Sequence, residues 1–295
     1  MKIVGKVSKA LNKVESVHKP DFTSPAPPDE PQVISSSTVA EERKRKVAAK
    51  APSLPPDLGA STENWDERLV HAIETFSGVA ESFRKLRTMI LHPESGEPPR
   101  SVMVVSCDPQ EGKSFVCANL GVSFAHSVKE QALVIDCDLR RPSLQSLFGL
   151  KHARGLTEYL RDGDNISDMI YATGLPKLSI IPSGSPPDNP SELLSSDRMS
   201  AMLDELADMA DNRLLVLDSP PFHVAAETLV LSQLVDKVVL VVRWGKSGRE
   251  NIKKMVDRIG REKIIGVVFN AFEFNILDKK IQGVGYHNYY AEEYY

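Results

Sequence analysis

One stretch of the chain has the residue types to hold a phosphate. Cys107-Asp108-Pro109-Gln110-Glu111-Gly112-Lys113-Ser114 follows a short apolar run, Ser101 to Ser106, and precedes a segment of helical character, Lys113 to Ser127. It fits the phosphate-loop pattern G-x4-G-K-S/T, with Cys107 in place of the first glycine. Gly112 lets the backbone turn so that successive N–H groups face phosphate oxygens. The helix that follows offers its positive end to the same anion. Lys113 is then expected at the β- and γ-phosphates of a nucleotide, and the Ser114 hydroxyl on Mg2+. The nucleotide-binding candidates are Asp108, Pro109, Gln110, Glu111, Gly112, Lys113, Ser114 and Phe115.

Two further clusters put acids at the ends of buried strands. Leu133-Val134-Ile135 runs into Asp136-Cys137-Asp138, and Leu214-Leu215-Val216-Leu217 runs into Asp218-Ser219-Pro220-Pro221. In an open α/β sheet, ligands bind beyond the carboxyl ends of the strands, so these acids and the phosphate loop share one sheet edge. A carboxylate there can hold Mg2+, order its water shell or take a proton from an attacking hydroxyl. A single strand-end aspartate more often caps a helix; two beside a phosphate loop favour chemistry. Arg140 and Arg141 follow at once, placed to meet phosphate or a neighbour's acids, with solvated surface an equal alternative for Arg141.

The elements that must position these groups are legible as apolar runs. Strands are expected at Ser101–Ser106, Ala132–Ile135, Leu178–Pro182, Leu214–Leu217, Lys237–Val242 and Ile264–Phe269, with a helix over Asn64–Leu91. Near-continuous apolar strands alternating with helical segments imply an α/β fold: a mostly parallel sheet with helices on both faces, here of the P-loop NTPase type. Residues 63–282 are assigned to this domain. Residues 1–62 differ. Positions 1–60 hold eight of the 20 prolines, and also Ser35-Ser36-Ser37 and a charged run at residues 41–46. They read as a flexible linker. At its start Val4, Val7, Leu11 and Val14 recur at helical spacing opposite Lys2, Lys6, Lys9 and Lys13. That spacing predicts a short basic amphipathic helix, either docked on a membrane or partner or left as a solvated terminus.

With 36 basic and 40 acidic side chains, the net charge is −4. That balance does not fit a surface built for nucleic acid. No apolar run approaches the ~20 residues that span a bilayer. The three cysteines, Cys107, Cys117 and Cys137, have no metal-binding spacing and read as buried residues of a reducing compartment.

Five of the seven tyrosines fall in the last ten residues: Tyr286, Tyr289, Tyr290, Tyr294 and Tyr295. Core tyrosines would not cluster at a terminus behind Gly283 and Gly285. Residues 283–295 are thus a tyrosine-rich tail, either a modification cluster or an aromatic segment docked on its own domain.

The combination resembles the bacterial tyrosine kinases of capsule and exopolysaccharide systems. The resemblance runs from about Glu81 to Tyr295. Its loop carries Pro109 and Glu111-Gly112-Lys113-Ser114. Its second motif is Asp136, Asp138 and Arg140 after three apolar residues, and its third is Asp218, Pro220 and Pro221. Upstream is E-x-x-R-x-x-R at Glu81, Arg84 and Arg87. Gly155 to Leu160 gives G-L-T-E-Y-L, and Pro186 to Leu194 gives a P-P-N-P-x-E-L-L-like stretch with one extra residue.

The resemblance implies an ATP- and Mg2+-dependent protein-tyrosine autokinase that regulates polysaccharide polymerisation and export. The tail tyrosines would be its autophosphorylation sites. Lys113, Asp136 and Asp138 would be catalytic, with Asp136 or Asp138 as the base, and Ser114, Asp136 and Asp218 would hold the metal. Glu81, Arg84 and Arg87 would be subunit contacts in a ring. Asn270 would contact adenine or serve as a turn residue. The larger members carry a fused transmembrane segment that is not seen here. A stand-alone cytoplasmic form is implied, peripheral at the inner face of the membrane through a separate membrane co-polymerase that activates it. A tyrosine phosphatase would reverse the reaction.

Two other classes share the fold. Partition and septum-site ATPases have a second lysine early in the loop, where this chain has Cys107 and Asp108. A catalytically idle adaptor would have no need for Lys113 with three intact acids.

Overall fold

The computed structural model describes residues 2–4, 61–69, 78–150 and 153–271. Residues 5–60 of the predicted linker and the tyrosine tail lie outside the described residues. Among the described residues eight strands form one sheet in the order β1-β8-β7-β2-β6-β3-β5-β4. They are β1 (Lys2–Val4), β2 (Ser101–Ser106), β3 (Gln131–Asp136), β4 (Tyr171–Ala172), β5 (Leu178–Ile181), β6 (Arg213–Asp218), β7 (Lys237–Arg243) and β8 (Ile264–Asn270). The strands from β8 to β5 are mutually parallel, and both edges end in a short antiparallel strand.

Alternation of side chains splits the apolar runs between two cores. Val102, Val104, Val134 and Val216 face one layer, which is covered by α1 (Gly78–Leu91), α2 (Lys113–Ala125) and α3 (Leu144–Leu147). Met103, Val105, Ile135 and Leu217 face the other. That layer is covered by α4 (Leu156–Asp162), α5 (Pro190–Leu194), α6 (Asp197–Asp208), α7 (Glu227–Leu234) and α8 (Arg249–Ile259). α2 is buried almost all round because it lies between the sheet and α1. Cys107, Cys117 and Cys137 are all buried and free.

Two expected helices are corrected. Lys2–Val4 are extended and pair with Val267–Phe269 of β8, so the basic amphipathic helix does not include them; its remainder lies outside the described residues. The helix expected from Asn64 to Leu91 does not include its first residues, and residues 70–77 lie outside the described residues. Thr62–Asn64 form a single 3-10 turn and Trp65 is extended. Residues 67–69 are helical, and α1 begins at Gly78. The cause is Trp65. Its indole donates to the Thr173 carbonyl at 2.8 Å and its ring meets Phe148 edge-on, so the chain turns inward where a helix would pass by. Among the described residues no helix is long and apolar enough to cross a membrane.

Candidate active site

The carboxyl ends of β2, β3 and β6 lie side by side. Asp136 and Asp218 are direct neighbours across β3 and β6, and the Cys137 N–H donates to the Asp218 carbonyl at 2.9 Å. The phosphate loop leaves β2 beside them. Gln110 and Gly112 both have positive φ, 62° and 94°. Cys107 does not, so the missing first glycine imposes no strain. Its thiol lies in the core 3.8 Å from Met255 Sδ, and burial with the nearby Glu111 and Asp108 pushes it up to about 12.

The loop is held from outside. The guanidinium of Arg243 donates to the Gln110 carbonyl at 3.0 Å and Lys246 Nζ to the Pro109 carbonyl at 2.8 Å. Glu111 is fully buried; it accepts from the Asp108 N–H at 3.2 Å and from the Ser247 hydroxyl. With carbonyls engaged on the outer side, and the Asp108 N–H taken by Glu111, the remaining N–H groups of the loop are left for an anion.

Asn270 Nδ2 donates to the Glu111 carbonyl at 2.9 Å, and Oδ1 accepts from the Ala271 N–H at 2.9 Å. Asn270 thus clamps the loop, and these two bonds leave its second amide hydrogen and second carbonyl lone pair for the adenine contact expected of it. Phe115 sets its ring edge-on to Phe83 of α1. A Cβ on Gly112 would collide with the Asn270 amide, at a φ that L residues rarely adopt. Gly112→Ala is therefore expected to weaken nucleotide binding about tenfold or more, from strain of ~1–3 kcal/mol. Titration with a fluorescent ATP analogue measures it; unchanged affinity would show that the loop relaxes freely.

The three acids have distinct environments. Asp138 Oδ2 pairs with Lys113 Nζ at 3.0 Å and Oδ1 accepts from the Arg141 N–H. Asp136 accepts backbone N–H groups from Asp138, Ser143 and Leu144, so part of its role is to cap α3. Burial, with Asp218 beside it, holds Asp136 well above the usual carboxylate range. Asp218 is fully buried, and neither carboxylate oxygen has a hydrogen-bond partner within ordinary reach. Burial pushes it up to about 6, against the pull of the Lys113 charge and the Ser114 hydroxyl. For Lys113, burial lowers basicity, but Asp218, Asp138 and Asp136 outweigh it and hold the ammonium above its ordinary value. A buried carboxylate without a donor, next to a serine hydroxyl, suits a hard cation. Of the expected metal residues, Ser114 and Asp218 fit Mg2+ directly, whereas Asp136 has its oxygens committed to backbone. Among the described residues no group of three or more His, Cys, Asp or Glu is preassembled around a metal.

No protein-family model matches the chain. Over 193 residues it is 34% identical to the tyrosine-protein kinase YwqD of Bacillus subtilis, covering 65% of this chain and 80% of that one. The chain belongs to the bacterial tyrosine kinases. The kinase superimposes on the crystal structure of the chimerical protein CapA2B2 with a TM-score of 0.65 at 29% identity, covering 71% of this chain and 92% of that one. On the kinase domain of the Escherichia coli tyrosine kinase Etk the TM-score is 0.63 at 28% identity, covering 70% and 82%.

Other motif residues of the kinase fall into place away from the acids. Glu81 and Arg84 form an i,i+3 ion pair at 2.7 Å on the outer face of α1. Arg87, the third of that stripe, instead donates to the Ser123 carbonyl at the end of α2 within its own chain. In G-L-T-E-Y-L, the working residue is Glu158. Its buried carboxylate accepts from the Gly155 N–H at 2.7 Å and the Ser185 N–H at 3.0 Å, tying α4 to the loop before α5. Glu111, Glu158 and Glu227 are buried acids that the sequence does not distinguish from solvated ones. The only local signal was Glu158 at the third position after Gly155, a helix-start spacing.

Proposed function

We propose that this kinase transfers the γ-phosphoryl group of ATP, with Mg2+, to tyrosines of the C-terminal cluster of a neighbouring copy, and so regulates export of a capsular or exopolysaccharide polymer. The observation that carries the reaction is the buried Lys113–Asp138 pair beside the unpartnered Asp218. Mg2+, held by Asp218 and Ser114, would offset charge on the transferring phosphates. Lys113 exchanges Asp138 for phosphate oxygen when ATP enters. That exchange frees Asp138 Oδ2, which makes Asp138 the better placed of the two candidate bases. A tyrosine hydroxyl, with a pKa near 10, gives its proton to this carboxylate as its oxygen bonds to the γ-phosphorus and the bond to the β-phosphate oxygen breaks. ADP and phosphotyrosine are the products. Asp136 keeps its backbone donors and fixes the turn that carries Asp138.

The wider reading is a homo-oligomer, a ring with contacts that include Glu81 and Arg84. It has the chain at the inner face of the membrane, held there by an activating co-polymerase and opposed by a tyrosine phosphatase. Nucleic acid has no part in it. Intact mass and peptide mapping after incubation with Mg2+–ATP test the core of this function. Phosphates confined to Tyr286, Tyr289, Tyr290, Tyr294 and Tyr295 are expected, and none in a chain carrying phenylalanine at all five. Label elsewhere, or hydrolysis without transfer even with a membrane activator present, would defeat it.

A further inference from the structure

Arg140 stands two residues after Asp138, and its side chain is anchored at the same sheet edge. Nε donates to Glu227 Oε1 at 3.1 Å, and the terminal nitrogen Nη2 donates to the Ser191 hydroxyl at 3.1 Å. Ser191 in turn donates to Glu227 Oε2 at 2.8 Å. The Glu227 side chain is only 1% exposed, whereas that of Arg140 is 45% exposed. One face of the guanidinium is thus fixed by a buried, fully partnered carboxylate. The other face meets solvent, with donors left over.

Three elements converge to build this: the turn after β3, the first turn of α5 and the start of α7. The Arg–Ser–Glu triangle holds a cation in one orientation, so little side-chain entropy is lost when it binds an anion. Its backbone lies no more than ~7 Å from that of Asp138, two residues of chain at full extension. An extended peptide with its tyrosine at Asp138 therefore brings a residue one or two positions away to Arg140.

The chain carries such a residue in its own acceptor tail. Glu292 and Glu293 stand between Tyr290 and Tyr294. Tyr290 is two residues from an acid, Tyr294 one and Tyr295 two, while Tyr289 is three away and Tyr286 six.

We propose that Arg140, set by Glu227 and Ser191, reads an acidic residue one or two positions from the acceptor tyrosine, and that its ligand is the Glu292–Glu293 pair of a neighbouring copy's tail. Glu227 and Ser191 are positioning residues; Arg140 is the contact. This rests on the tail being the acceptor, as proposed above.

Time-resolved peptide mapping of the full chain with Mg2+–ATP tests it. The first phosphates are expected on Tyr290, Tyr294 and Tyr295, and the last on Tyr286. Glu292→Gln with Glu293→Gln should slow the early sites about 5- to 10-fold, the scale of a lost charge-assisted hydrogen bond. Arg140→Gln should slow them comparably, and the combination should be no worse than Arg140→Gln alone. Arg140→Lys should keep part of the preference, since a point charge remains without the fork. A further chain leaves the kinase domain untouched: His287→Glu added to the two tail glutamines should move the first phosphates to Tyr286 and Tyr289, one and two positions from the new acid. Fully additive effects of tail and Arg140 changes, or a preference that ignores where the acid stands, would overturn the assignment. A wild-type chain that labels no tail tyrosine would overturn the acceptor function itself and this inference with it, a separate outcome from labelling in an unbiased order.

Discussion

Lys113→Met is expected to lower phosphotyrosine formation about a thousandfold or more. The estimate follows from the role of a fixed donor on charge that develops during transfer, in a site shielded from water. Intact mass after incubation with Mg2+–ATP gives the answer directly, and persistent labelling would remove Lys113 from the phosphate site. The same change has a second consequence, in the nucleotide-free protein. Among the described residues Lys113 is the cation set against these acids: its ammonium is 3.0 Å from Asp138 and is held charged by Asp218, Asp138 and Asp136 against its burial. Methionine leaves that cluster of carboxylates without its counter-charge, a loss of ~3–5 kcal/mol at neutral pH. The acids answer by binding protons more tightly in the folded state, so the deficit shrinks as pH falls. Thermal melts from pH 5 to pH 8 should show the mutant approaching wild type at the acid end. A gap that does not change with pH would mean the acids are not ionised beside Lys113.

The second expectation separates activity from stability. Asp218→Asn should remove kinase activity while making the nucleotide-free protein more stable. Asp218 is buried without a hydrogen-bond partner, and its pKa is raised from 3.8 to about 6, burial being the main cause. A carboxyl that protonates more readily when folded binds more protons in the native state between those two values. Stability therefore falls as pH rises from about 4 to about 6, by about 3 kcal/mol in all, and stays at the lower level above that window. Asparagine carries no charge to desolvate, though its buried amide still lacks partners. A net gain of about 1–2 kcal/mol at pH 7 corresponds to a Tm rise of roughly 2–4 °C per kcal/mol. The loss of stability between pH 4 and pH 6 should also flatten, with Asp136, likewise held high, supplying what remains. Mg2+–ATP should raise the Tm of the wild type more than that of the mutant, because Asp218 is the carboxylate open to the cation. A mutant that melts lower at pH 7 would show that Asp218 is stabilised by a partner in the folded protein.

The parts legible in the sequence are those set by local chemistry. β2 spans the six residues expected, and β3, β5, β6, β7 and β8 fall within two residues of their expected ends, because apolar runs this dense, four in a row in β2, β3 and β6 and five in β7, fit strands of a sheet covered on both faces. Lys113, Asp136, Asp138 and Asp218 come together because each follows a parallel strand, and parallel strands deliver their ends to one edge. The rest depends on contacts between distant residues. β1 is three residues of a segment whose local spacing favours a helix, and pairing with β8 overrides it. Trp65 keeps the expected helix from starting at Asn64 by reaching Thr173, 108 positions away. Glu111, Glu158 and Glu227 look like exposed acids until the loops that donate to them are folded around them.

The two antiparallel edge strands have a consequence for self-association. Six parallel strands of four to seven residues would otherwise end in open ladders of unpaired N–H and C=O groups, a template for uncontrolled strand addition. Here β1 covers β8 with three residues and β4 covers β5 with two. Each cap runs against the strands it covers and offers too few donors and acceptors to recruit another chain. Among the described residues, concentrating the protein at a surface should therefore not favour strand addition at either edge of the sheet.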